Sequence, residues 1–369
     1  MKSIHKGEIP EALYQSVVVL YGAGITGNRI VALLKPYKVR ILYIIDDDKN
    51  KWGSTIDGIP IISYRVFEEK CTGFAHVSVI LTTIYGKAVL KKLRQITWAD
   101  AVEVYEMYGW LNEAYQLNGL IGGVDDAERI ERFHGEIGSL KVGLADEESK
   151  RVLDGIDRYL YNKDLNILAD ICTESDQYFI PEVLSAIRKP LNILDAGAYV
   201  GELYQTIRNH DIKLEHWYCF EANADNYNKL IQYSQNMELS GIQVCVNKGL
   251  WDQDGTLYFD SSKGTASRIV DYRTDDQIEV ISIDTYFRDK KCDFIKMDIE
   301  GAEYPALCGA MDVIRRERPI MAVSIYHSIE DLYRIQRFLM DRLQGYRYYI
   351  RHHALILCET VLYVVPNEL

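Results

Sequence analysis

Apolar residues recur along this chain in two alternating rhythms. Short β-rich runs end in glycine or acid, as in "SVVVLYGAG" (16–24) and "VRILYIIDDDKN" (39–50). Between them lie stretches with helical spacing, such as "NRIVALLK" and "GKAVLKKLRQI", while "GIPIIS" and "HVSVILTTI" supply further strands. Strands alternating with helices predict a parallel, doubly wound sheet from Gln15 to about Trp110. Residues 111–189 change character: "DEESKRVLDGIDRYL" and "PEVLSAIRK" carry apolar positions at helical spacing, which predicts a helical connector. From Pro190 the alternation returns in "NILDAG", "WYCFEAN", "IQVCVNK", "DFIKMD" and "PIMAVSIYH". Residues 250–283 read as short inserted antiparallel strands, and 345–365 as a closing β-hairpin. The expected organisation is therefore α/β, with two doubly wound domains at 1–110 and 190–369 joined by the connector.

Both domains place a glycine turn after their first apolar strand. Gly22, Gly24 and Gly27 fit GxGxxG, and Asp46 ends the next strand at the distance of a ribose contact. No acid follows in the first helical turn, so a phosphate suits that helix end. The same glycines also occur where they serve tight packing alone. The second turn, "DAGAYVGE", has wider spacing, and Glu202 follows Gly201 directly. A carboxylate there competes with pyrophosphate, so this ligand lacks phosphate at that point. S-adenosylmethionine has that chemistry: adenosine, a sulfonium and an amino-acid end. Glu221, ending the next strand, is placed to accept both ribose hydroxyls.

Composition narrows the partners. A net charge of −12 and no long Lys/Arg block argue against nucleic acid. No apolar stretch approaches the ~20 residues of a membrane span. The 7 cysteines show neither CxxC pairs nor zinc spacing, and the first residues lack a signal-peptide core, so the expected compartment is the cytoplasm.

Residues from about 190 to 365 resemble the FkbM-type family of S-adenosylmethionine-dependent methyltransferases, which implies a class I methyltransferase domain. The likeness rests on "LDAGAYVGE", "FEANADNYNKL", "VISIDTYF", "DFIKMDIEGAEYPALCGA", "IYHSIEDL" and "ETVLYVVP". It implies that Asp195, Gly197 and Gly201 line the cofactor's amino-acid end, that Glu221 holds its ribose, and that Asn223 belongs to the same site. Ala222 stands where family members more often have proline, and Tyr199 where they have a smaller residue. Residues 15–110 resemble the small N-terminal, Rossmann-like domain of bacterial nucleotide-sugar acetyltransferases, through "YGAGITG" and "YIIDDDKNKWGSTIDGIPII". That points to a nucleotide or nucleotide sugar at the first turn and to a sugar or glycan hydroxyl as the methyl acceptor.

A protonated hydroxyl is a poor nucleophile and needs a base or a metal. The usual arrangement of this fold sets the strands ending at Asp195, Asp298 and His327 side by side. Asp298 and Glu300, two apart, share a side if the backbone is extended. Asp298 or His327 is the expected base, and Glu300 shapes the acceptor site. The first reading is metal-free; the second puts Mg²⁺ or Mn²⁺ on Asp298, Glu300 and His327. Glu300 and Glu303 also suit a helix N-terminus, and Lys296 suits pairing with one of these acids. Arg351, His352 and His353 are placed either to contact the acceptor or in a solvated turn. Two other functions compete: an NAD(P)-dependent oxidoreductase using the first turn, and a non-catalytic ligand-binding module. Residues 15–110 offer no hydride-transfer arrangement for the former, and Asp195, Glu221 and Asp298 together argue against the latter.

Overall fold

The computed structural model describes residues 1–84, 87–115, 126–173, 175–235, 237–238, 240–260, 268–270 and 273–369. Residues 116–125 of the expected connector, and 261–267 and 271–272 of the expected insertion, lie outside the described residues. The chain divides into two compact units. One comprises Met1–Asn118 with Asp164–Asp170 and Ala354–Ile356; the other comprises Gly119–Lys163, Ile171–His353 and Leu357–Leu369. The helices at Ala127–Val142 and Glu147–Asn162 thus belong to the second unit.

The first unit is built on a sheet ordered Lys2–Ser3, Ala101–Glu106, His76–Leu81, Val17–Tyr21, Ile41–Ile45, Ile59–Ile62, Thr55–Ile56. Its pairs are parallel except the last. Val18 to Tyr21 are all buried, as a central parallel strand covered on both faces requires. The two-residue strand at Lys2–Ser3 and the strand Ala101–Glu106 carry too little apolar run to stand out in the sequence.

The second unit's main sheet runs Ile242–Val246, Leu214–Phe220, Leu191–Ala196, Phe294–Met297, Ile320–Ser324, Thr360–Pro366, Tyr346–His352. The first five strands are parallel, and the closing hairpin inserts its second strand antiparallel beside Ile320–Ser324. The strands ending before Asp298 and His327 therefore flank one another, beside the one ending at Ala196. Strand order reverses about Leu191–Ala196, the place where open α/β sheets leave a crevice for ligands. The inserted strands Gly249–Leu250, Gly255–Asp260, Arg268–Val270 and Gln277–Ile281 form a separate small sheet.

Helix Glu147–Asn162 starts where Asp146 accepts the Ser149 backbone N–H at 2.8 Å. It buries Val152, Leu153, Ile156 and Leu160, and Ser149 Oγ accepts the Ile350 N–H of the last-paired strand. Helix Ala127–Val142 buries Ile130, Phe133, Ile137 and Leu140 along one stripe. No described helix is long and apolar enough to cross a membrane.

Candidate active site

Strand Leu191–Ala196 is buried at every position and delivers the chain into a turn of three left-handed residues. Gly197 has φ +77°, Tyr199 φ +49° and Gly201 φ +90°. A side chain at Gly197 would meet the Asp298 carbonyl, and one at Gly201 would meet Met237 Cε at 2.7 Å. Helix Leu203–Asn209 follows, with Glu202 as its N-terminal flanking residue rather than inside its first turn. Glu221 reaches back from the end of the neighbouring strand. Its Oε2 accepts the Tyr199 N–H and its Oε1 the Asn223 N–H, both at 2.9 Å. Burial raises its carboxyl above the usual range, against the pull of those backbone donors. Asn223 caps helix Ala224–Ser234 by accepting the Asp225 and Asn226 N–H groups.

Asp195 lies deeper. It is fully buried, 3.1 Å from Lys296 Nζ, and accepts the Trp217 Nε1–H at 3.2 Å. Lys296 Nζ also donates to the Ala196 and Gly197 carbonyls at 3.2 and 2.6 Å. Burial works against its charge, but Asp195, Asp298 and Glu221 outweigh it and raise the ammonium pKa. The Asp195–Lys296 pair thus ties down the glycine turn from within the sheet, so Lys296 pairs as a structural cation but with Asp195 rather than with an acid of the Asp298 cluster.

One strand over, four ionisable side chains meet. His327 is 95% buried as a side chain, being only 5% exposed; its Nδ1 stands 3.1 Å from Glu303 Oε1. Its Nε2 stands 3.5 Å from both Asp298 Oδ1 and Glu300 Oε2. Burial alone would depress the imidazole, but the carboxylates of Glu303, Asp298 and Glu300 raise it to about 10. Burial pushes Glu300 up to about 7, with Asp298 and Glu303 adding to the effect and His327 opposing it. Asp298 accepts the Tyr178 hydroxyl at 2.8 Å and the Tyr326 hydroxyl at 3.3 Å. Two sequence expectations change here. The backbone at Glu300 is left-handed, φ +58°, not extended, so it is a turn that brings its carboxylate to His327. The metal-ligand set also differs: among the described residues, Asp298, Glu303 and His327 bring ligand atoms within 4.8 Å of one another, with Glu303 where Glu300 was expected. Glu303 is buried completely, begins helix Glu303–Cys308 and accepts the Ile299 N–H at 2.7 Å.

Spacing pointed to Asp298, Glu300 and His327 but missed Tyr178, whose hydroxyl comes from 120 residues upstream. Nothing local marks that residue. Glu303 carried a weak signal, an acid five residues beyond Asp298, which read equally well as a helix-end charge.

Arg351, His352 and His353 are buried, which overturns the solvated-turn reading. Arg351 ends in Asp146 and Glu182 at 2.6 and 2.7 Å, and His352 Nδ1 pairs with Thr360 Oγ1 at 2.8 Å. His353 Nε2 pairs with the Tyr363 hydroxyl at 2.7 Å. The hairpin and helix Glu147–Asn162 close over them.

In the first unit, Asp46 treats its glycine turn much as Glu221 treats the second. It accepts the Ala23 N–H at 2.6 Å, the Asp48 N–H at 2.8 Å, and Lys51 Nζ at 3.1 Å. Added side chains at Gly22 and Gly27 would stand 2.5 Å from Thr82 Oγ1 and 2.3 Å from the Gly22 carbonyl. Close packing explains those two glycines. Around Gly24, which precedes helix Ile25–Leu34, the space is open.

Residues 195–348 match the family described as the methyltransferase FkbM domain, and residues 14–97 the family described as C2185-like, N-terminal. Among solved structures, the methyltransferase FkbM from Methylobacillus flagellatus KT is similar at 22% identity and a TM-score of 0.56, over 96% of this chain and 94% of that one. That likeness is one of fold. UDP-D-quinovosamine 4-dehydrogenase from Vibrio fischeri matches 27% of this chain and 85% of its own at 22% identity, with a TM-score of 0.22, too low to carry an argument. No curated protein matches the chain.

Proposed function

We propose, from the match of residues 195–348 to the methyltransferase FkbM domain, that the chain methylates a sugar hydroxyl with S-adenosylmethionine. The observation that carries the cofactor assignment is Glu221. Each of its oxygens holds one backbone N–H, leaving lone pairs for the two hydroxyls of a ribose. Gly197 and Gly201 keep side chains out of the turn beside it. Glu202 at the helix start and Glu221 favour a cationic ligand over a phosphate. Bound there, the cofactor supplies a methyl group on a sulfonium, an electrophile that needs only an aligned nucleophile.

Alignment and deprotonation fall to the adjoining strand ends. The acceptor proton goes to the carboxylate pair Asp298 and Glu300, whose side chains are 19% and 30% exposed while Glu303 and His327 are buried. Tyr178 and Tyr326 fix the orientation of Asp298 through their hydroxyls. His327 lies buried among them, its Nδ1 toward Glu303 and its Nε2 toward Asp298 and Glu300. The sugar acceptor rests on the resemblance read from "YGAGITG" and "YIIDDDKNKWGSTIDGIPII" alone. Gly24, with open space around it, and Asp46 would hold the nucleotide part, while Gly22 and Gly27 let the turn pack closely.

The test is thermal stability with S-adenosylhomocysteine, since a ligand of the native state stabilises it by mass action. The parent should melt at a higher temperature with ligand, and Glu221→Ala should lose most of that gain. A full shift in the variant removes Glu221 from the site. Methyl transfer to a panel of nucleotide sugars and free glycans, followed by mass spectrometry, tests the acceptor class.

A further inference from the structure

We propose that Asp298, Glu303 and His327 hold a divalent cation at the acceptor side of the methyltransferase site. The inference rests on the functional reading above and resolves its carboxylate pair: Asp298 binds the ion, and Glu300 is left to take the proton. The donor set is two carboxylates and one imidazole, whose ligand atoms lie within 4.8 Å of one another. Opposite ligands of a small octahedral ion with bonds of ~2.1 Å stand about 4.2 Å apart, so shifts of a few tenths of an ångström close the shell.

Independent support comes from the polar atoms buried there. Neither ring nitrogen of His327 has a hydrogen-bond partner, and Glu303 Oε2 has none. His327 Nδ1 stands 3.1 Å from Glu303 and Nε2 3.5 Å from Asp298, and a single ion takes one of these two nitrogens. Buried polar groups are nearly always satisfied, and a cluster of orphans asks for an ion or another partner. Three carboxylates around one imidazole also leave an excess of negative charge, which a divalent cation offsets. Glu303 is fixed by the Ile299 N–H and Asp298 by two tyrosines, so the ligands are already ordered. Two hard oxygens with one nitrogen suit Mn²⁺ better than Ca²⁺. An ion there would bind the acceptor oxygen and make its hydroxyl more acidic, easing proton loss to Glu300.

The experiment titrates Mn²⁺ into metal-depleted full-length protein and counts free Mn²⁺ by electron paramagnetic resonance. One Mn²⁺ per chain is expected. Asp298→Asn and His327→Gln should each weaken it at least as much as the roughly 10–100-fold that even outer partners of metal ligands contribute. Glu300→Gln should keep the affinity while lowering turnover, and circular dichroism identifies any variant that fails to fold. No binding to the parent, or equal binding to folded Asp298→Asn and His327→Gln, overturns the cation and leaves a self-compensated ion-pair cluster. S-adenosylhomocysteine binding is measured on the same metal-depleted sample. If it persists while Mn²⁺ fails to bind, the cation reading fails and the methyltransferase reading stands.

Discussion

At Gly197 a side chain has no room: a Cβ would lie 1.8 Å from the Asp298 carbonyl oxygen, at a backbone φ of +77°. Gly197→Ala must strain the turn and push apart two adjacent strand ends, at a cost of roughly 2–6 kcal/mol. Chemical denaturation of the variant checks this, and a loss under 1 kcal/mol would mean the turn can relax. Asp298 belongs to a different class of residue. Asp298→Asn keeps its shape and its tyrosine partners but removes charge and proton affinity. Cofactor binding should survive, because Gly197 and Glu221 lie outside the change, while turnover falls by something like 10²–10⁴-fold. Parental turnover in that variant would exclude Asp298 both as proton acceptor and as a ligand that turnover needs.

Among the elements, the closing hairpin shows how a strand can hide polar chemistry. Strand Tyr346–His352 pairs along its whole length with Thr360–Pro366, and Arg351 through His353 are covered. Burial pushes the His353 imidazole down to about 4, helped by the charge of Arg351 and opposed by the Ser175 backbone carbonyl and Asp176. An unfolded histidine titrates near 6.5, so below that pH the unfolded chain binds the extra proton and the folded chain does not. Stability from this group is complete above about pH 6.5 and is lost as pH falls toward 4, by up to about 3 kcal/mol. His353→Gln can still offer a donor to Tyr363 and cannot titrate in this range. Denaturant melts between pH 7 and 4 should therefore fall less steeply in the variant; parallel curves would show that His353 is not buried neutral.

For the whole molecule, the division into units is not a single cut. Asp164–Asp170 and Ala354–Ile356 group with the first unit, where Ala169 and Leu355 join the apolar cluster around Val19, Phe67 and Val79. A chain beginning at Asp126 should still bind S-adenosylhomocysteine, since the proposed contacts all follow Leu191. It should melt earlier than the full chain, because Ala169 and Leu355 lose that cover. Starting instead at Asp146 also removes the stripe Ile130, Phe133, Ile137 and Leu140, and should destabilise the chain further. Calorimetry with and without ligand compares all three. Loss of binding in a folded chain from Asp126 would mean that the first unit completes the site.

The sequence by itself determined the two sheets, the glycine turns at their first strand ends, the inserted strands and the hairpin, though Gly249–Leu250 pairs parallel with Gln277–Ile281 where antiparallel strands were expected. These follow from local periodicity and turn chemistry, which act over a few residues. It also placed Asp298 and His327 at strand ends, because a strand's length and its polar stop are written in its own residues. Tertiary structure decided which way those groups face and what they meet. Asp195 closes a strand like any turn residue, and only the neighbouring strand, with Lys296 in register, turns it into half of a buried ion pair. Glu300 reaches His327 through a left-handed backbone that spacing does not specify. Glu303 and Tyr178 enter the site from a helix start and from a segment before the first strand, each by packing across the sheet's end. Period and spacing fix where a residue lies along its own element. Contacts between residues a hundred positions apart depend on how the strands are ordered and how each turn bends.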